Sequence, residues 1–277
     1  MKKNARLAVV VACAMTALLA VAGLAGCSGS STGSSASSSA STSSYTLVNA
    51  GKLTVESDLA YPPLESVNAQ TSKPEGFTVD MLSAICSKMG IELNYLPAQK
   101  FDNIIPSIKQ GGKADVGASS FTITDARKQE IDFTDSYMDS NQGIVTKADS
   151  SATTADALNV EGMKIAVQSG TTGEEWVQEN LPKATCVPLD DTIGAMNGCE
   201  AGQYNAVVAD LPVMSYMCKN SYTDLKVAKE IPTGEQYGIV VSKDNPGLTA
   251  AINKALQEIK ADGTMDSLEK KWFGQTL

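Results

Sequence analysis

The sequence predicts an α/β fold, a mainly parallel sheet flanked by helices, on three observations. Short apolar runs of strand length alternate with amphipathic helical stretches from residue 52 onward, with no internal repeat. Polar residues suited to binding fall where a strand ends and a turn or helix begins, at Asp58, 119–122, 168–173 and Asp210. Open α/β sheets bind ligands along that edge, so four such positions in one chain predict a shared cleft. Beyond the N-terminal segment about 230 residues remain, enough for one large domain or two smaller lobes.

Taken in order, residues 52–57 read as the first strand. A helix over 77–89 follows, with Leu82, Ile85, Cys86 and Met89 on one face and Gly90 closing it. A strand at 91–96 precedes a short helix over 101–110, which Gly111 and Gly112 end and which Pro106 is expected to kink. Residues 114–118 read as a buried strand. The second half repeats the pattern: strand 163–167, helices 174–180 and 192–201, strand 206–209, helix 212–219. After a strand at 237–241, two helices finish the chain.

Residues 1–26 combine Lys2, Lys3 and Arg6 with an apolar run and end on small residues, the pattern of a secretory signal. Residues 7–26 also approach the roughly 20 needed to span a bilayer, but their Ala and Gly content and small-residue junction favour a signal. Leu24-Ala25-Gly26-Cys27 resembles the lipobox of bacterial lipoproteins, which implies that Cys27 becomes the first mature residue and carries lipid. The expected location is extracytoplasmic, with the lipid anchoring the chain to the bacterial cell membrane. Residues 28–44 contain only Ser, Gly, Thr and Ala, too little apolar surface to offset the entropy of ordering. Residues 27–44 are therefore expected to be a linker, with the fold starting at residue 45.

Charge and composition exclude several classes. The formal charge is −9, and removing the three signal cations takes it to −12, a surface that repels phosphate backbones. No nucleic-acid partner is expected. The chain has no His, no close Cys pair and no phosphate loop, so neither a metal nor a nucleotide cofactor is expected. Of the six cysteines, Cys13 lies in the signal and Cys27 at the lipobox. One disulfide between two of Cys186, Cys199 and Cys218 suits an exported chain, and spacing does not select the pair. Cys86 reads as a buried free thiol.

Five motifs occur in sequence: Gly76-Phe77-Thr78-Val79-Asp80, Phe101-Asp102-Asn103-Ile104-Ile105-Pro106, Thr122-Ile123-Thr124-Asp125-Ala126-Arg127, Asp132-Phe133-Thr134 and Lys271-Trp272-Phe273-Gly274. In this order they resemble the family 3 solute-binding proteins, the extracellular receptors of polar amino acid ABC transporters, over 51–274. The resemblance implies a type II periplasmic-binding-protein fold with the ligand cleft between two lobes. One lobe would comprise 45–138 and 243–277, the other 143–235, with hinge strands at 139–142 and 236–242. A monomer is expected.

A free amino acid carries a carboxylate and an ammonium on one carbon, so its receptor needs a forked cation and a separate anion. The resemblance assigns the first to Arg127, whose guanidinium geometry suits a carboxylate. The alternative is a surface ion pair with Asp125 or Glu130. Asp210 matches the acid that receives the ammonium, although it also stands where a helix N-cap is expected. Ser119, Ser120 and Thr122 match positions whose hydroxyls and backbone groups hold both ligand poles, or serve simple turn chemistry. Gln168, Thr171 and Thr172 lead into a helix N-terminus, which attracts a carboxylate, while Thr171 or Thr172 also suits N-capping. Asp58, Tyr61 and Phe101 match the positions around the ligand side chain; the two aromatics also suit a core.

Together these residues imply a hinged clamp that closes on an amino acid with a basic or amide side chain and delivers it to an ABC permease. Two other classes compete. Some relatives of the fold are dehydratases, yet the commonest general base is missing and no Ser or Cys lies in a nucleophile motif. A sensing lipoprotein that hands its ligand to a separate receptor is the third reading.

Overall fold

The computed structural model describes residues 44–277. The signal segment, Cys27 and the linker up to residue 43 lie outside the described residues. The chain opens with β1 (Lys52–Glu56) and a small antiparallel sheet of β2 (Ala60–Tyr61), β3 (Glu65–Val67) and β4 (Pro74–Glu75). Next come α1 (Phe77–Met89), β5 (Glu92–Tyr95), α2 (Phe101–Gln110), β6 (Val116–Thr122), α3 (Asp125–Glu130) and β7 (Asp132–Phe133). Then follow β8 (Met138–Lys147), α4 (Ala155–Leu158), β9 (Lys164–Gln168), α5 (Thr172–Asn180), β10 (Thr185–Leu189), α6 (Thr192–Glu200), β11 (Ala206–Asp210) and α7 (Leu211–Asn220). The chain closes with β12 (Leu225–Val241), α8 (Pro246–Ala261) and α9 (Thr264–Phe273).

The main sheet has the order β10-β9-β11-β8-β12-β6-β1-β5, with β7 beside β12. β5, β1 and β6 are mutually parallel, as are β10, β9 and β11. Between these groups, β8 and β12 run antiparallel to each other and to their neighbours. The first part of β12 pairs with β8 and its last residues with β6 and β7, so one antiparallel pair links two parallel groups. All four predicted strand ends sit at carboxyl ends of parallel strands, or just past them, where such sheets bind ligands.

Apolar periodicity places the helices. α1 buries Phe77, Met81, Leu82 and Ile85 in one cluster with Leu53 and Val55 of β1 and Leu248, Ile252 and Leu256 of α8. Each such side chain stabilises by about 1.5–3 kcal/mol when fully buried. Gly90 ends the helix in the left-handed region, its N–H bonded to the Cys86 and Ser87 carbonyls. Gly76 is demanded at the start: its φ is 137° and a Cβ would lie 2.1 Å from the Leu64 carbonyl oxygen.

Several elements differ from expectation. β6 runs to Thr122 rather than stopping at residue 118, because Phe121 is buried and Phe121 and Thr122 pair with Gly238 and Tyr237. β12 begins at Leu225, its polar stretch held in strand form by pairing with β8 rather than by a buried face. β10 escaped prediction because Pro188 argues against a strand; as the edge strand it tolerates a residue with no N–H to donate. α2 runs through Pro106 as one helix. Cys86, Cys186, Cys199 and Cys218 are all free thiols, so the expected disulfide is absent. Cys186 packs in a different cluster from Cys199 and Cys218, and burial pushes all three thiols up to about 11, which suppresses the reactive thiolate.

Candidate functional site

The strand ends converge on one small cavity, lined by Asp58, Tyr61, Phe101, Ser119, Ser120, Thr122, Arg127, Gln168, Thr171, Thr172 and Asp210. All eleven sequence candidates for the ligand site therefore share one wall. Asp58 follows β1, Ser119 to Thr122 form the end of β6, Gln168 ends β9 and Asp210 ends β11. Tyr61 comes from β2, and Phe101 opens α2.

Arg127 lies in α3, whose N-cap Thr124 accepts a hydrogen bond from the Arg127 N–H at 3.2 Å. Its guanidinium donates to the Thr122 and Gly170 carbonyls at 2.9 Å each and lies 5.7 Å and 5.9 Å from the centres of the Phe101 and Phe121 rings. Those rings stack on each other at 4.5 Å. Among the described residues Arg127 forms no ion pair; Asp125 and Glu130 pair instead with Lys128 and Lys109. Burial draws its pKa downward, opposed by the charges of Glu175, Asp210 and Glu235. A cation stacked on aromatic faces with only neutral partners is ready for an external carboxylate.

Asp210 occupies the N-cap position of α7, but its side chain makes no capping bond. Its carboxylate instead accepts from Tyr237 Oη at 2.7 Å and from Gln142 Nε2, while its N–H donates to Tyr61 Oη at 3.1 Å. Burial, reinforced by the charge of Glu235, pushes its pKa up to about 6. Thr171, by contrast, does cap α5, accepting from the Glu174 N–H at 3.2 Å.

The hydroxyls of β6 are engaged by protein carboxylates. Ser119 Oγ donates to Asp58 Oδ1 at 2.8 Å, Ser120 Oγ to Glu65 Oε1 at 2.7 Å, and Thr122 Oγ1 to Glu235 Oε2 at 2.8 Å. Asp58 also accepts from Gln168 Nε2 at 2.9 Å, and its burial raises its pKa against those hydrogen bonds. Gln168 is held in turn by Thr192 Oγ1 at 3.1 Å.

Two residues were missed from the sequence. Glu235, at the irregularity in β12, accepts from Thr122 at 2.8 Å and Thr172 at 3.0 Å. Gln142 of β8 donates to both Glu235 and Asp210. A polar side chain just before the apolar run Gly143-Ile144-Val145 was the available signal for Gln142; Glu235 stands among exposed polar residues and offered none.

Residues 53–275 match the bacterial extracellular solute-binding proteins, family 3. The chain belongs to this family. The ABC transporter arginine-binding protein 1 of Escherichia coli (strain K12) is 32% identical over 231 residues, covering 82% of this chain and 92% of that one. Among solved structures, an ancestral arginine-binding protein bound to glutamine superposes with a TM-score of 0.75 at 36% identity, over 81% of this chain and 99% of that one. The ancestral amino acid-binding protein AncCDT-1, a precursor of cyclohexadienyl dehydratase, does so with a TM-score of 0.75 at 33% identity, over 80% and 96%. These likenesses and the sheet order give this family 3 binding protein the type II periplasmic-binding-protein fold. The cavity lies where its two parallel strand groups meet: Gln168 bonds Asp58, Asp210 bonds Tyr61 and Arg127 bonds Gly170 across it.

Proposed function

We propose that this chain captures a free amino acid with a cationic side chain, arginine foremost, and hands it to an ABC permease. The observation that carries the reading is the charge of the cavity wall. Asp58 and Asp210 line it with Glu235 directly behind, and Arg127 is the single cation among the lining residues. A ligand carboxylate on Arg127 and an ammonium at Asp210 leave Asp58 unbalanced. A second positive group beside Asp58, between Tyr61 and Phe101, would offset the cost of that buried charge. An amide side chain gives hydrogen bonds there without the charge, and an acidic one adds repulsion.

Binding is proposed to work by closure of two lobes about β8 and β12, the segments at 139–142 and 236–242 acting as hinges. Moving such an equilibrium from about 1:99 to 99:1 requires ~5.5 kcal/mol of preference for the closed form, within reach of two charge-assisted clusters. A lipid on Cys27 would keep the receptor beside its permease, and the working unit is a monomer. The absence of His and the likeness to amino acid-binding proteins support a receptor rather than an enzyme.

Calorimetric titration tests the assignment. Arginine is expected to bind most tightly, glutamine more weakly, glutamate and leucine weakest, with the ligand recovered chemically unchanged. Tightest binding of glutamate or leucine, or conversion of the bound compound, would overturn it.

A further inference from the structure

We propose that Glu65 is the positioning residue of the cleft: held as an uncharged carboxylic acid, it fixes Ser120 in a left-handed backbone conformation and so shapes the ligand-facing end of β6. The proposal rests on the reading that this cleft binds an amino acid.

Ser120 has a φ of 51°, a region that non-glycine residues rarely occupy without a compensating contact. Sheet pairing does not supply it. The ladder between β6 and β12 is regular at Phe121 and Thr122 and again at Val116 and Gly117, but its register shifts between Gly238 and Val240, opposite Ala118 to Ser120. A strand that loses its partner there is free to bend. The contact that fills the gap is the 2.7 Å hydrogen bond from Ser120 Oγ to Glu65 Oε1, with both side chains buried. Glu65 is itself placed by the pairing of β3 with β2, opposite Tyr61 of the cavity wall.

The surroundings of Glu65 select its uncharged form. No Lys or Arg pairs with it among the described residues. The groups that face it are Asp58 after β1, Asp210 at the end of β11, Thr78 in α1, Tyr95 in β5 and Tyr137 ahead of β8. The first two are acids; the other three present hydroxyls buried beside it. Those hydroxyls can donate to either form of the carboxyl group, whereas a second buried anion beside Asp58, with no cation to balance it, would be costly. Burial, with the charge of Asp58, accordingly raises the Glu65 pKa well above the usual range.

Two variants separate positioning from bulk structure. Glu65→Ala removes the acceptor for Ser120 and is expected to weaken amino acid binding on the order of 10- to 100-fold, while Glu65→Gln, a neutral acceptor of similar shape, recovers most of it. Because the folded pKa lies above the unfolded one, the stability that Glu65 contributes is lost as pH rises. Glu65→Gln should therefore gain on the native protein by up to about tenfold in the folding equilibrium per pH unit as pH rises above the ordinary carboxylate range. Native-like binding by Glu65→Ala, failure of Glu65→Gln to recover it, or a pH-independent stability difference would overturn the proposal. If no amino acid binds the native protein, the functional reading fails, while the stability comparison still decides the charge state of Glu65.

Discussion

Arg127 and Asp210 line one cavity with no hydrogen-bond partner in common, and the fold treats their charges differently. Arg127 is half-buried on two stacked aromatic rings and answered only by backbone carbonyls. Asp210 is buried among Tyr61, Tyr237 and Gln142, with Glu235 close enough to raise its pKa. One end of the site holds a permanent charge at little structural cost, since guanidinium is not deprotonated in proteins. The other holds a charge that the fold itself disfavours. A ligand that cancels both charges therefore gains twice, from a cation lacking an internal counter-ion and from an acid relieved of its neighbours.

The largest expected effect is at the permanent charge. Arg127→Ala should weaken amino acid binding by about 3–4 kcal/mol, a hundredfold or more by calorimetry, because it leaves the ligand carboxylate buried without a counter-charge. Its melting temperature should fall modestly, from the two lost bonds to the Thr122 and Gly170 carbonyls and the lost stacking on Phe101 and Phe121. Retained binding would place the carboxylate elsewhere and break the comparison. Next, Asp58→Asn should lower the preference for arginine over glutamine by about 10- to 100-fold while sparing glutamine, because only the cationic side chain loses a charge partner. An unchanged preference would remove Asp58 from specificity.

The smallest effect concerns pH, and its sign distinguishes the two ends. The Asp210 pKa rises from 3.8 to about 6 on folding, so its stabilising contribution is complete below the unfolded value and disappears as pH rises through about 6. Ligand affinity should move the opposite way. The ammonium requires the carboxylate, so affinity should fall by up to about tenfold per unit as pH drops below about 6. A pH-independent affinity between 7 and 5 would show that Asp210 does not receive the ammonium.

What could be read from sequence followed from local rules. Periodicity set α1 and α2 to the residue, Gly90 marked a helix end, and the strand-end positions named eight of the eleven residues that share the cavity, Tyr61, Phe101 and Arg127 coming from the family resemblance instead. These features depend on neighbours within a few residues, where side-chain period and backbone preference act directly. The bridge from Glu235 to Thr122 and Thr172, the tie from Ser120 to Glu65 and the free state of Cys199 and Cys218 were decided by tertiary structure alone. Each depends on elements brought together from 19 to 113 residues apart, or on burial that shifts a proton, and no local pattern encodes either.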